Sequence, residues 1–201
     1  MQKIAPENLI LLCGELTTDG TPVCNGAGKE YFEFLMKITL PTGVDILPVL
    51  IAKEQMDDTV QKGATLSLTG KIFSEEVVDG EDRTLLLKVR AEEVYAGETE
   101  ITSGVFLTGN VFRKPYSYAI GEGERAEFQL TVDSADNPLV YVPVMANEEN
   151  AVIAKRLQLG DAVSILGQLH SYQYMDLSGD GATTKTAYEV EILRFTALPE
   201  I

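Results

Sequence analysis

The chain has 201 residues, a net charge of −15 at pH 7, one histidine, two cysteines and no tryptophan. That length allows one or two domains, and the charge argues against an indiscriminate polyanion binder while leaving room for a local basic groove. No run of about 18 apolar residues occurs, and the opening MQKIAPENLILLCG matches a signal peptide poorly, so no membrane partner is expected and the location expected is the cytoplasm.

Leu9 to Thr17 alternates, with Ile10, Leu12, Gly14 and Leu16 on one face, which is the period of a half-buried strand. Thr18 to Gly28 is rich in Gly, Thr, Pro and Asn and reads as a loop. Tyr31 to Leu40 is the second strand, with Phe34, Met36, Ile38 and Leu40 inward. Pro41-Thr42-Gly43 is a turn and Val44 to Ala52 a third strand. Lys53 to Gln61 reads as a short helix stopped by Gly63. Thr65 to Phe73 and Arg83 to Val94 are strands flanking an acidic turn at Val78-Asp79-Gly80.

The same order then recurs. Val105, Leu107, Gly109 and Val111 repeat the first strand, and Lys114 to Gly123 reads as its loop. Phe128, Leu130 and Val132 mark the second strand, Asp136-Asn137-Pro138 a turn, and Leu139 to Met145 the third strand. Asn147 is placed to cap a helix running to Leu159, ended by Gly160. Val163 to Tyr174 is the fourth strand, Leu177 to Ala182 a polar turn, and Tyr188, Val190 and Ile192 lie on the fifth. Gly160 and Gly167 stand to one another as Gly63 and Gly70 do, so one unit occurs twice. The expected class is all-β, with domains 1–98 and 102–201 joined by a linker at Gly97 to Ser103. Five strands with a helix between the third and fourth is OB-fold topology, so two tandem five-stranded OB-fold barrels are expected. Mid-strand glycines at Gly14, Gly70, Gly109 and Gly167 suit sharply coiled barrel strands.

Cys13 and Cys24 lack partnering histidines, so no metal site is expected and free thiols are. His170 is the only imidazole and no nucleophile elbow lies near it, so neither an enzyme, a cofactor nor a small-molecule substrate is expected.

The second half resembles the bacterial single-stranded DNA-binding protein family. The matching pieces, in order, are Phe106-Leu-Thr-Gly-Asn-Val, Ala126-Glu-Phe-Gln-Leu-Thr-Val, Tyr141-Val-Pro-Val, Ala154-Lys-Arg-Leu-Gln-Leu-Gly-Asp, Val163-Ser-Ile-Leu-Gly-Gln-Leu and Tyr188-Glu-Val-Glu-Ile. The first half resembles the same pattern more weakly. The resemblance implies OB-folds, no enzymatic activity, and four OB units around single-stranded DNA, hence a homodimer of this two-unit chain. It also implies a role in DNA replication, repair or recombination. Family members stack bases on aromatics, and Tyr174 falls where such an aromatic is expected. Three features depart from the pattern: no tryptophan, no basic residues ahead of Tyr174, and an end at Ala197-Leu-Pro-Glu-Ile201 in place of a glycine-rich tail with an acidic tip. Recruitment of partners through such a tail is therefore not expected.

Holding an unpaired strand needs flat rings for base faces and cations for the backbone. The candidates are Phe112, Arg113, Lys114, Tyr116, Tyr118, Arg125, Tyr141, His170, Tyr172, Tyr174 and Lys185. The segment from Phe112 to Tyr118 interleaves both types at the mouth of a loop, and OB-folds bind through the loops between strands one and two and strands four and five. A non-sequence-specific single-strand binder with affinity falling steeply with salt is the first expectation. The alternative is a structural or protein-interaction module that kept the scaffold and lost the nucleic acid, as the missing basic residues and the net charge favour.

Overall fold

The computed structural model describes residues 7–24, 28–79, 82–121, 123–134, 137–176 and 182–198. The turns expected at Val78-Asp79-Gly80, Asp136-Asn137-Pro138 and Leu177 to Ala182, and the chain end, fall wholly or partly outside them.

The first half runs β1 (Asn8–Leu16), β2 (Thr21–Cys24), β3 (Glu30–Leu40), β4 (Gly43–Ala52), a 3-10 turn at Lys53–Gln55, β5 (Thr65–Asp79) and β6 (Asp82–Ala96). β1 pairs antiparallel with both β3 and β5, β3 with β4 and β5 with β6, while β4 and β6 run parallel. That closes a five-stranded barrel. The second half runs β7 (Ser103–Ile120), β8 (Gly123–Ser134), β9 (Asn137–Asn147), α1 (Glu148–Ala154), β10 (Ala162–Asp176) and β11 (Thr183–Ala197), and closes in the same order with β9 and β11 parallel. Both halves are OB barrels. Inward-phase residues fill each: Ile10, Leu12, Phe34, Met36, Leu47, Ile72 and Leu87 in the first, Val105, Leu107, Leu130, Val142, Ile165 and Val190 in the second, all at most 2% exposed. Each fully buried aliphatic or aromatic side chain contributes about 1.5–3 kcal/mol.

Gly70 and Gly167 sit where barrel curvature brings a neighbouring backbone closest. A methyl group on Gly70 would lie 2.2 Å from the Arg90 carbonyl oxygen, and one on Gly167 2.4 Å from that of Glu191. Both stand at register shifts that bend the fourth strand of their barrel. Gly167→Ala is expected to cost about 2 kcal/mol by forcing that backbone apart. A urea midpoint equal to that of the wild type would refute the close approach.

The structure corrects several expected elements. The loop expected over Thr18 to Gly28 contains β2, paired with β3 from Thr21↔Glu33 to Cys24↔Glu30. The helix expected over Lys53 to Gln61 is the single turn Lys53–Gln55. The second helix ends at Ala154 instead of Leu159, and the Asn147 side chain donates to Glu191 (2.8 Å) instead of capping it. Gly63 and Gly160 do not stop these helices directly. Each takes φ +85° and donates its N–H to the first strand of its barrel, at Leu16 (2.7 Å) and Val111 (2.8 Å). The loop expected from Lys114 to Gly123 is strand as far as Ile120, because β8 pairs along it through Ile120↔Gly123. Bulges on either side of Arg113 let Pro115 sit in a strand without donating to the ladder.

The barrels join through antiparallel pairing of β1 with β7, from Asn8↔Leu107 to Leu12↔Ser103. Its centre is Ile10↔Val105, and these are equivalent positions of the repeat. The two crossing contacts match as well: Ser74 Oγ accepts from the Tyr141 N–H (3.0 Å), and Ser171 Oγ from the Ile46 N–H (2.9 Å). The halves thus meet as two subunits of an isologous dimer do, about a local two-fold. No described helix is long and apolar enough to cross a membrane.

Candidate nucleic-acid interface

The bulges of β7 break its side-chain alternation, leaving Phe112, Arg113 and Lys114 exposed in succession. Phe112, 52% exposed, meets Tyr141 of β9 edge to face, with centroids 4.9 Å apart. Farther along β7, Tyr116 and Tyr118 lie 5.6 Å apart at 31°. Tyr116 is 69% exposed, and the Tyr118 hydroxyl donates to Glu127. That hydrogen bond, then burial, raises the Tyr118 phenol above its ordinary range. On β10, Tyr172 and Tyr174 lie 6.5 Å apart at 50°. Burial, then the charges of Glu189 and Glu127, raise the Tyr172 phenol, so the pair on β7 and the pair on β10 flank one charged cluster.

That cluster decides the fate of the candidate cations. Arg125 sits between Glu127 (3.1 Å) and Glu189 (2.7 Å). Glu189 is 8% exposed, and burial pushes its carboxyl up although Arg125 pulls it down. Lys185 pairs with Asp176. His170 lies not with the rings but at the joint between barrels, its Nδ1 3.0 Å from Asp45 and its Nε2 3.2 Å from Glu191. Arg113 and Lys114 are exposed and form no ion pair among the described residues. Tyr116, Tyr118 and Lys185, expected on loops, are on strands.

In the first barrel the positions equivalent to Tyr172 and Tyr174 are Glu75 and Val77. Lys88 there is held by Glu33 (2.8 Å) and Glu75 (2.9 Å). Burial lowers its ammonium, but the two carboxylates more than offset that and leave it above the usual lysine range.

Sequence reasoning missed Asp45, Ser74 and Ser171. The Asp45 carboxylate, 5% exposed, accepts from the Ser171 N–H (2.7 Å) and hydroxyl (3.2 Å) as well as facing His170. The signal was present: Asp45 stands in the inward phase of a strand with Leu47, Val49 and Ile51, and a buried carboxylate requires partners. Ser74 and Ser171 occupy matching positions of the repeat, and each accepts a backbone N–H across the joint.

No protein-family model matches this sequence, and neither does any curated protein. Among solved structures, the wild-type single-stranded DNA-binding protein of Thermus aquaticus matches with a TM-score of 0.74 at 21% identity, over 98% of this chain and 95% of that one. A deletion mutant of the same protein matches with a TM-score of 0.74 at 20% identity, over 98% and 96%. The chain shares the fold of that Thermus aquaticus protein. The match spans both barrels, so it extends to their tandem arrangement. At these identities it speaks for the fold and not for the side chains.

Proposed function

We propose that this chain binds single-stranded DNA without sequence specificity and without catalysis, chiefly through its second barrel, in DNA replication, repair or recombination in the cytoplasm. The observation that carries the reading is the run of exposed rings on that barrel, Phe112, Tyr116, Tyr172 and Tyr174, with Arg113 and Lys114, which form no ion pair among the described residues, beside the first two. Stacking contributes about 1–3 kcal/mol per base and tolerates any sequence. Titration of a fluorescent oligo-dT at two salt concentrations tests it. Two cations free to displace counterions give a slope of log affinity on log salt of about −1.4. That is shallower than the steep fall expected from the sequence, because Arg125, Lys185 and His170 already face carboxylates. No binding at low salt refutes the reading.

The pairing of those three side chains favours the second reading, a protein-interaction module that has lost the nucleic acid. It predicts no oligonucleotide binding at any salt.

We further propose that two chains assemble to give four OB units. Leu9, Phe106 and Leu166 adjoin across β1, β7 and β10, with Leu9↔Phe106 and Leu166↔Phe106 in register. Leu9 is 37% and Leu166 41% exposed, beside the local two-fold, on the outer face of the sheet. An apolar row there suits a second copy of the same face. Leu166→Glu is expected to halve the sedimentation mass. A wild-type chain that sediments as a monomer removes the proposal.

A further inference from the structure

Charge separates the two ring pairs of the second barrel. In register, Tyr118 of β7 stands opposite Arg125 of β8, and Tyr116 opposite Glu127. On the other side, Tyr172 of β10 lies in the field of Glu189, Glu127 and Arg125. A strand passing from the β7 rings to the β10 rings crosses this trio. Arg125 meets Glu127 at 3.1 Å and Glu189 at 2.7 Å, so one cation there faces two carboxylates. The crossing is net anionic and repels a phosphate.

Glu189 is the member of the trio that water stabilises least. It is 8% exposed, whereas the Glu127 side chain is 44% exposed and also accepts from the Tyr118 hydroxyl. The charged groups facing Glu189 are Arg125 and Glu127 from β8 and His170 from β10, its partner in register. His170 in turn lies between Asp45 of β4 and Glu191 of β11. β9 brings the apolar Val144 and Met145 against β11, and α1 meets that strand farther on, where Asn150 donates to the Ile192 and Leu193 carbonyls. Glu33 and Lys88 of the first barrel reach the neighbouring Tyr188. Burial outweighs the attraction of Arg125 and raises the Glu189 carboxyl above the ordinary glutamate range. As pH falls, Glu189 therefore takes a proton from solvent before an ordinary surface carboxylate does. A guanidinium has five N–H donors, so beside a neutral Glu189 it can keep Glu127 and accept a phosphate as well.

We propose that Glu189 is a proton-operated gate on Arg125, and that neutralising it makes Arg125 a third backbone contact for the single strand, so that binding tightens on acidification. The inference rests on the single-strand reading above and adds its regulation.

Anisotropy of a labelled oligo-dT with the full chain, at about pH 8 and about pH 5, tests it. One added cation is expected to steepen the wild-type salt slope from about −1.4 to about −2.1, and to tighten binding about eightfold at about 50 mM salt. Glu189→Gln is expected to bind that tightly already at the higher pH and to lose most of the pH dependence. Arg125→Gln added to Glu189→Gln is expected to cancel the gain. His170→Gln is expected to keep the acid tightening. Should Glu189→Gln fail to fold, the wild-type salt slopes at the two pH values still decide. Three results overturn the gate and leave the single-strand reading intact. They are wild-type binding that ignores pH, Glu189→Gln that keeps the wild-type pH dependence, and His170→Gln that loses it. A wild-type chain that binds no oligonucleotide at either pH removes both.

Discussion

Replacing Asp45 with alanine is expected to cost about 3–5 kcal/mol of stability, since each buried donor left without its acceptor costs about 1–3 kcal/mol. Asp45 is 5% exposed and joins β4 of the first barrel to β10 of the second. Its carboxylate accepts two hydrogen bonds from Ser171 and faces Nδ1 of His170 at 3.0 Å. Alanine leaves the Ser171 N–H and the His170 imidazole at the joint without their acceptor. Asp45→Asn keeps one acceptor and is expected to lose about 1–2 kcal/mol. The matching contact across the local two-fold has Val140, fully buried, where the first barrel has Asp45, so among the described residues the hydrogen bond of Ser74 is what remains there. Ser74→Ala is accordingly the milder change, at about 1 kcal/mol. Urea unfolding of the three variants ranks them. Asp45→Ala within about 1 kcal/mol of wild type would show that solvent or a shifted neighbour replaces the carboxylate.

The double substitution Phe112→Ala with Tyr116→Ala is expected to weaken oligo-dT binding by about 100-fold, at about 1–3 kcal/mol for each ring. Both rings are more than half exposed. Their removal opens no cavity in the barrel, so the unfolding midpoint is expected to stay near that of the wild type. The salt slope is expected to hold at its wild-type value, because Arg113 and Lys114 remain in place. Arg113→Ala with Lys114→Ala does the converse and flattens the slope. A ring variant that binds as tightly as wild type would move the strand off β7 altogether.

The two results separate the roles of the barrels. The joint holds them in a fixed relation, and the aromatic surface belongs to one of them. Tandem duplication permits that division. In a symmetric homodimer every substitution appears twice, whereas here Glu75 and Val77 stand where the second barrel has Tyr172 and Tyr174. At these positions the second barrel carries the rings, and the first carries Lys88 between two carboxylates nearby.

What the sequence determined by itself is the local and periodic part of this protein. Alternation of apolar residues placed most of the strands and the inward faces, since burial on one side of a pleated strand repeats every second residue. The repeated glycines marked where curvature leaves no room for a side chain. The duplicated order of elements set two barrels. What only the tertiary structure decided is which charges are spent. Arg125, Lys185 and His170 looked available as isolated residues, and each proved to face a carboxylate. For His170 that partner, Asp45, is 125 residues away in the chain. The strand through Tyr118 was hidden for a related reason: its alternation is broken by bulges, and only the ladder with β8 keeps it extended. Hydrogen bonds and ion pairs between distant segments leave no period in the sequence, because the residues that satisfy them are brought together only when the barrels close and dock.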